Sequence, residues 1–445
     1  MSFLVIPAIA GARYLALPSG GARGITTPGG LQAFKELCGI DFGIDLFPAN
    51  ANNTNNTNNT NNTNTHATAA HAKHERLLLG VSGTSIGAMQ ALMIAVGYSV
   101  EELWRQTSDA RFSDFVRLDP TQLTSAHALD SGITLRTTIS NMLHKKLGVR
   151  DMTLFQLRQH TGVDLVVVAA DATTATVRYL RADTEPTMSV VQAVYASMAL
   201  APLLPPLEYR GHLLQDGGGM DAIPTCVWDD KPEPTLSFAL HWTRDTSPSS
   251  FSACDTNTDA EDKDNEEGKG NKGDKADKGD KGDKGDKEDK ESKKSGNVIA
   301  YLARTLYCAL YPSKVVQWCL MPARMRATCI VLDTSDIATV DLHLSEEMKE
   351  RSRSKGYQDT AAALFLMSSG KPPHRGAQRF AKADGLPLYI HALLDAAHKA
   401  DQEYASGEHV QPAHHVQPEK QGCAFAFRGL ACGACPECLA SSVVT

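Results

Sequence analysis

Between Leu77 and Val96 the chain reads Leu-Leu-Leu-Gly-Val-Ser-Gly-Thr-Ser-Ile-Gly-Ala-Met-Gln-Ala-Leu-Met-Ile-Ala-Val, and this stretch restricts the fold more than any other. Its length and hydropathy suit a membrane span of about 20 residues. Three glycines and two serines crowd residues 80–87, however, and they argue for a turn. A buried strand over Leu77 to Val81, running through Gly83-Thr-Ser-Ile-Gly87 into a small-residue helix from Ala88, accounts for the same hydropathy. Strand, tight turn and helix in that order form a nucleophile elbow. Ser85 then occupies the strained corner, and Gly83 and Gly87 remove the side chains that would collide with it. The helix that follows aims backbone N–H groups, and the positive end of its dipole, at the point where an attacked carbonyl would gain negative charge. The bare Gly-x-Ser-x-Gly pattern arises often by chance, so it is the strand before and the helix after that give it meaning.

The chain has 445 residues, 42% of them hydrophobic, enough for one large domain or two to three ordinary ones. A net charge of −7 and the lack of a basic, aromatic-interleaved patch give no reason to expect nucleic acid as a partner. Ten cysteines in so long a chain are no disulfide framework, and Cys38, Cys226, Cys254, Cys308, Cys319 and Cys329 lack metal-ligand spacing. A reducing, cytoplasmic setting is the simpler expectation. The apolar start from Met1 to Ala10 lacks a basic leader, so it reads as a lead-in to the first strand and not as a secretion signal.

Ala12 to Leu17 reads as a strand, Pro18 to Gly24 as a glycine-rich loop, and the region from Gly30 to Leu37 as a helix. Such a loop converges backbone N–H groups on one point, which suits a phosphate or an oxyanion. No Gly-Lys-Ser/Thr follows, and Ser19 stands where a dinucleotide loop would have its first glycine, so an oxyanion hole serving Ser85 fits better. Asn-Asn-Thr repeats from Asn52 to Thr65 cannot form a core and read as a disordered insertion. Helices follow from Ser99, over Ser131 to Leu143 and over Thr153 to Arg158, and are expected to cap the site. Strands are expected at Val163 to Ala170 and Ala175 to Leu180, and a helix at Val190 to Ala199. A hairpin then delivers Leu213-Leu-Gln-Asp-Gly-Gly-Gly219. Asp216, at a strand end before glycines, is either a base facing a cleft or a turn carboxylate satisfying nearby N–H groups.

A strand is expected over Thr235 to Trp242. The polyampholyte from Ser252 to Ser295, repeating Gly-Asp-Lys at its centre, reads as a second disordered insertion. Beyond it come a helix from Asn297, a strand at Ala327 to Leu332, a helix capped by Ser345, another over Asp359 to Met367, and a further helix over Tyr389 to Tyr404. Residues 1–371, with insertions at about 50–74 and 252–296, are read as one domain, and 372–445 as a helical, Cys-rich tail. Cys423, Cys432, Cys435 and Cys438 there are weak zinc candidates. With Phe425, Phe427 and Leu430 beside them they suit S-acylation equally, and neither role is required.

Three separated pieces now stand in order: Ser19-Gly-Gly-Ala-Arg-Gly24, Gly83-Thr-Ser-Ile-Gly87 and Asp216-Gly-Gly218. With them, and with Gly97-Tyr-Ser-Val-Glu-Glu-Leu103 and Ala193-Val-Tyr-Ala-Ser197 leading to Pro205-Pro206, the chain resembles the patatin-like phospholipases from about residue 12 to 365, apart from the insertions. The resemblance implies a three-layer α/β/α fold with a mainly parallel sheet and a lipid acyl hydrolase that uses a Ser–Asp dyad and needs no metal or other cofactor. It implies Ser85 as nucleophile and Asp216 as base, with Gly20, Gly21 and Ala22 as oxyanion hole. Arg23 matches the family's basic loop position, and Gly24, Gly83, Gly87, Gly217 and Gly218 complete the motifs. The family's loop usually begins with three glycines, and Ser19 departs from that. The expected partner is a lipid substrate met through peripheral membrane contact. Two alternatives stand beside this one: a Ser–His–Asp esterase drawing on His241 or His343, and an inactive lipid-binding or scaffold protein.

Overall fold

Asp-Leu-Val-Val-Val-Ala-Ala-Asp, at residues 164–171, is buried from its second residue onward, the mark of a strand covered on both faces. It is the hub of the sheet. The structure is a computed structural model and describes residues 3–9, 11–44, 77–110, 115, 128–241, 314–337, 344–371, 373 and 388–406. In chain order the strands are β1 (Tyr14–Leu17), β2 (Gly80–Thr84), β3 (Asp164–Asp171), β4 (Thr176–Leu180), β5 (Leu207–Tyr209), β6 (His212–Asp216), β7 (Thr235–His241) and β8 (Cys329–Asp333). They form one sheet in the order β5-β6-β3-β2-β1-β7-β8, with β4 also paired to β3. The strands β3, β2, β1, β7 and β8 run parallel, while β4, β5 and β6 supply the antiparallel pairs.

The register of β3 fixes the most important neighbourhood in the molecule. Val167 and Val168 pair with both β2 and β4, whereas Ala169, Ala170 and Asp171 pair with both β4 and β6. A strand has two edges, so β2 and β6 must share one edge of β3, end to end. Thr84 stands opposite Val168 and Asp216 opposite Ala169. The carboxyl ends of β2 and β6 therefore meet at consecutive residues of one strand.

Helices flank this sheet in the expected α/β/α layers. They are α1 (Thr27–Cys38), α2 (Ile86–Ala95), α3 (Val100–Asp109), α4 (Ile133–Leu147), α5 (Leu154–Thr161), α6 (Val190–Met198), α7 (Glu346–Ser368) and α8 (Leu388–Ser406), with residues 314–320 also helical. Leu15, Leu17, Val81, Leu165 and Val167 enter the main core, and the alternate positions Tyr14 and Val166 close a second cluster around Trp228. Ser99 and Glu102 form a capping box that starts α3, and Thr153 with Gln156 does the same for α5. The expected cap takes another form. α4 packs on α6 and α5 on β3, so both join the layer beside the sheet.

Two expected helices, from Ser345 and over Asp359 to Met367, are one 23-residue helix, α7. Gly356 lies inside it, where glycine costs about 1 kcal/mol relative to alanine. In the structure it is the contact point with the end of the β1 loop: a Cβ there would lie 2.1 Å from the Thr26 carbonyl oxygen, and one at Gly29 would lie 2.0 Å from that of Arg353. Close backbone approach, not helix termination, explains the glycine.

Helix α8 lies in the segment read as a tail, yet Ile390 and Leu394 are buried in the main core. The buried Arg326 guanidinium donates to Asp401 Oδ1 at 2.7 Å and to the Ala397 carbonyl at 3.2 Å. The Asn-Asn-Thr run, the Gly-Asp-Lys run, the helix expected from Asn297 up to residue 313, His343 and all four clustered cysteines lie outside the described residues. Among the described residues no helix is long and apolar enough to cross a membrane.

Candidate active site

The elbow is built from two polar residues that a hydropathy pattern discounts. Ser82 and Thr84 are buried in β2 because their hydroxyls donate to the Pro224 and Asp221 carbonyls, each at 2.7 Å. The strand therefore runs to Thr84, three residues beyond the apolar run. Ser85 follows with φ 57° and ψ −125°, and α2 begins at once at Ile86. A Cβ at Gly83 would lie 2.2 Å from the Gly87 carbonyl oxygen, and one at Gly87 would lie 2.5 Å from that of Leu17. Both glycines are thus required by contact.

At the end of β6, Asp216 meets the elbow. Ser85 Oγ donates to Asp216 Oδ2 at 2.6 Å, and the Gly218 N–H donates to Oδ1 of the same carboxylate at 2.7 Å. Each carboxylate oxygen thus has an aligned donor. A Cβ at Gly217 would lie 2.6 Å from the Val168 carbonyl oxygen, so the chain turns tightly against β3 immediately after the acid. Burial pushes the Asp216 carboxyl up to about 6, although the Ser85 and Gly218 hydrogen bonds and the Lys314 charge all pull it down. No imidazole lies between hydroxyl and carboxylate.

The glycine-rich loop lies against the start of α2. Gln90 Nε2 donates to the Gly24 carbonyl at 2.8 Å, and a Cβ at Gly24 would lie 2.6 Å from the Ile86 side chain. Gly20 is extended, Gly21 takes φ 56°, and a short 3-10 helix, Gly21–Thr26, carries Ala22 and Arg23. Arg23 is buried, and its Nε donates to the Ile337 carbonyl at 2.6 Å. Ser19 fits in place of glycine because its side chain packs beside Gly218, where a Cβ would lie 3.1 Å from Ser19 Oγ.

Two residues at the site, Lys314 and Asp221, carry no sequence signal, and a third, Ser197, is marked only as the end of the Ala193–Ser197 stretch, with no role assigned to it. Ser197, in α6, accepts a hydrogen bond from the Ser85 N–H at 2.9 Å and donates to the Val168 carbonyl, tying the corner residue to β3. Lys314 is buried and donates to the Ser19 carbonyl at 2.8 Å. Asp221, whose carboxyl burial pushes up to about 6, accepts from the Tyr179 hydroxyl at 3.0 Å and steadies the loop after Asp216. His241 is buried at the end of β7. Among the described residues no group of three or more His, Cys, Asp or Glu side chains is placed to hold a metal ion.

The family model for patatin-like phospholipase matches residues 15–226. An uncharacterized protein of Acanthamoeba polyphaga mimivirus, R571, is 24% identical over 172 residues, covering 36% of this chain and 54% of its own length. The chain thus spans about half the length of that curated relative. Among solved structures, VipD from Legionella pneumophila has a TM-score of 0.42 at 16% identity, over 89% of this chain and 75% of VipD. The type III effector ExoU has a TM-score of 0.34 at 13% identity, over 96% of this chain and 70% of ExoU. At those TM-scores neither likeness bears on activity.

Proposed function

Residues 15–226 carry a patatin-like phospholipase domain, and from that premise we propose that the chain is a lipid acyl hydrolase, cleaving carboxylic esters of phospholipids or related lipids through a Ser85–Asp216 dyad. The observation that carries this reading is the 2.6 Å hydrogen bond from Ser85 Oγ to Asp216 Oδ2 at a nucleophile elbow. Asp216 takes the hydroxyl proton as Oγ attacks the ester carbonyl, giving a tetrahedral oxyanion. Backbone N–H groups of Gly20, Gly21 and Ala22, with the start of α2, hold that charge, each donor contributing about 3 to 4 kcal/mol. The protonated acid then delivers its proton to the leaving alcohol. Water, activated by the same carboxylate, releases the fatty acid from the acyl-enzyme.

A base of ordinary carboxylate strength would serve this chemistry poorly. The burial that lifts Asp216 to about 6 raises its proton affinity, and the hydrogen bond to Ser85 orients it. Activity is therefore expected to fall as pH drops through about 6, where the base is protonated before attack. A kcat/KM profile of the free enzyme measures this; a flat profile from pH 5 to 8 contradicts Asp216 as base.

The direct test is release of fatty acid from mixed phospholipid vesicles in the presence of a chelator. Ser85-dependent release is expected, and the released acids define the acyl position. His241→Gln and His343→Gln together separate the dyad from a Ser–His–Asp esterase: the dyad reading expects turnover within about threefold of the parent in both variants, against a loss of about 10^2-fold or more in one of them for a missing imidazole base. Lipid binding without release would favour the inactive alternative.

A further inference from the structure

Lys314 lies outside the segment that the family model matches, at the point where the described chain resumes after residue 241. It is only 5% exposed, and its ammonium donates to the Ser19 carbonyl at 2.8 Å. Lysine is almost never so buried without a charge or carbonyl to meet. One helical turn on, Gln317 faces the same way. Its Oε1 accepts from the Ala222 N–H at 2.6 Å and its Nε2 donates to the Met220 carbonyl at 3.0 Å. The Ser19 N–H itself donates to the Ala222 carbonyl at 2.9 Å. A single face of the 314–320 helix thus clasps both loops that flank the dyad, the one after β1 and the one after β6.

The chemistry of the clasp differs at its two ends. A neutral amide suffices for Met220 and Ala222, and one would suffice for Ser19 if only a donor were needed. Burying an ammonium carries a large desolvation cost, so its charge needs a reason of its own. Among the described residues, the charges that act on it include Arg23 on the loop and Asp216 at the end of β6; Asp221, next along, turns to Tyr179. Burial, then Arg23, push Lys314 down to about 7, and Asp216 pulls it up. The Ser19 carbonyl and the Gly20 N–H belong to one planar trans peptide, so they point in opposite directions. Pinning the carbonyl aims the N–H.

Resting on the dyad reading, we propose that Lys314 is a positioning residue of the reaction: it fixes the Ser19–Gly20 peptide so that the Gly20 N–H faces the oxyanion, and it does so with a charge that acts on Asp216. Removing the cation raises the Asp216 proton affinity, because an opposite charge nearby favours the carboxylate. The acid limb of the activity profile then moves to higher pH.

The test compares the full chain with Lys314→Met, Lys314→Arg, Lys314→Gln and Ser85→Ala, using a soluble p-nitrophenyl ester from pH 5 to 9, a fluorophosphonate label for the serine, and thermal melts. Lys314→Met is expected to lower kcat by about 10^2-fold with KM within about threefold, and to raise the acid limb by about one pH unit. Lys314→Arg, keeping the charge, is expected to leave that limb in place and restore most of kcat. Lys314→Gln keeps a donor and loses the charge, so it should show the shifted limb with a smaller fall in kcat; it carries the test if the Met variant does not melt cooperatively. An unmoved limb in the Met and Gln variants, or a Met variant indistinguishable from the Arg variant, overturns the proposal. A parent chain whose Ser85 takes no label, or a Ser85→Ala chain as active as its parent, overturns the dyad itself, whatever the Lys314 variants do.

Discussion

Ser85→Ala is expected to lower kcat by about 10^4-fold or more and to leave the fold intact. The hydroxyl is the attacking atom, so no neighbouring group can replace it, and residual turnover rests on the oxyanion hole and binding alone. What holds the corner in place is backbone: the Ser85 N–H on Ser197 and the Ser85 carbonyl on the Ala88 N–H at 2.9 Å. Alanine keeps both, and the melting temperature should stay within a few degrees. Asp216→Asn is expected to cost about 10^2- to 10^4-fold, the range of a general base. It should also make the protein more stable at neutral pH. The carboxyl's proton affinity is higher folded than unfolded, so between about pH 4 and 6 the folded chain holds the extra proton and stability falls as pH rises. Above about 6 the full penalty is present, of order 3 kcal/mol. Asparagine carries no such charge. A variant that is inactive and melts higher than its parent at pH 8 meets both expectations; one that retains turnover removes Asp216 from the mechanism.

Gly83→Ala carries the largest structural effect. The new methyl would stand 2.2 Å from the Gly87 carbonyl oxygen and 2.4 Å from its carbon, both backbone atoms of the first turn of α2. No rotamer relieves such a contact, so β2 and α2 must move apart. A loss of about 3 kcal/mol or more is expected, with turnover lost even where the chain remains folded, because Ser85 is carried on the moving corner. Gly162→Ala supplies the comparison. Its Cβ meets nothing within 4 Å and bears only the cost of φ 73°, about 1 to 2 kcal/mol. Urea denaturation of the two variants separates collision from conformational preference, and equal losses would deny the tight elbow.

The sequence makes the elbow legible because its constraints are local: Gly83, Ser85 and Gly87 must be what they are within one turn. The β6 end is legible for the same reason, through Asp216 and the glycines after it. Their meeting is another matter. It depends on β2 and β6 sharing an edge of β3, across 131 residues of chain, and no periodicity reports it. Ser197 ends the Ala193–Ser197 stretch that carries the resemblance, yet nothing local gives its hydroxyl a role, and Lys314 follows a long run of Gly-Asp-Lys repeats that holds many lysines. The end of β2 lies beyond the apolar run for a physical reason: Ser82 and Thr84 look like turn residues until Pro224 and Asp221 supply acceptors for their hydroxyls. The gap left between the helices expected from Ser345 and from Asp359 holds Gly356, which sits mid-helix because Thr26 packs against it.

Because β1, β2 and β7 run parallel, their carboxyl ends form one rim, with Ser19, Ser85 and His241 along it. The chain leaves that rim after His241 and returns to it at Lys314. The other repeat run departs elsewhere. It follows Ile44, beside Tyr98 and a full helix length from Ser85, and rejoins ahead of β2 at Leu77. A change in the number of residues between 241 and 314 therefore alters a connection whose two described ends both lie on the rim that carries Ser85, whereas a change between 44 and 77 alters one whose described ends lie away from it.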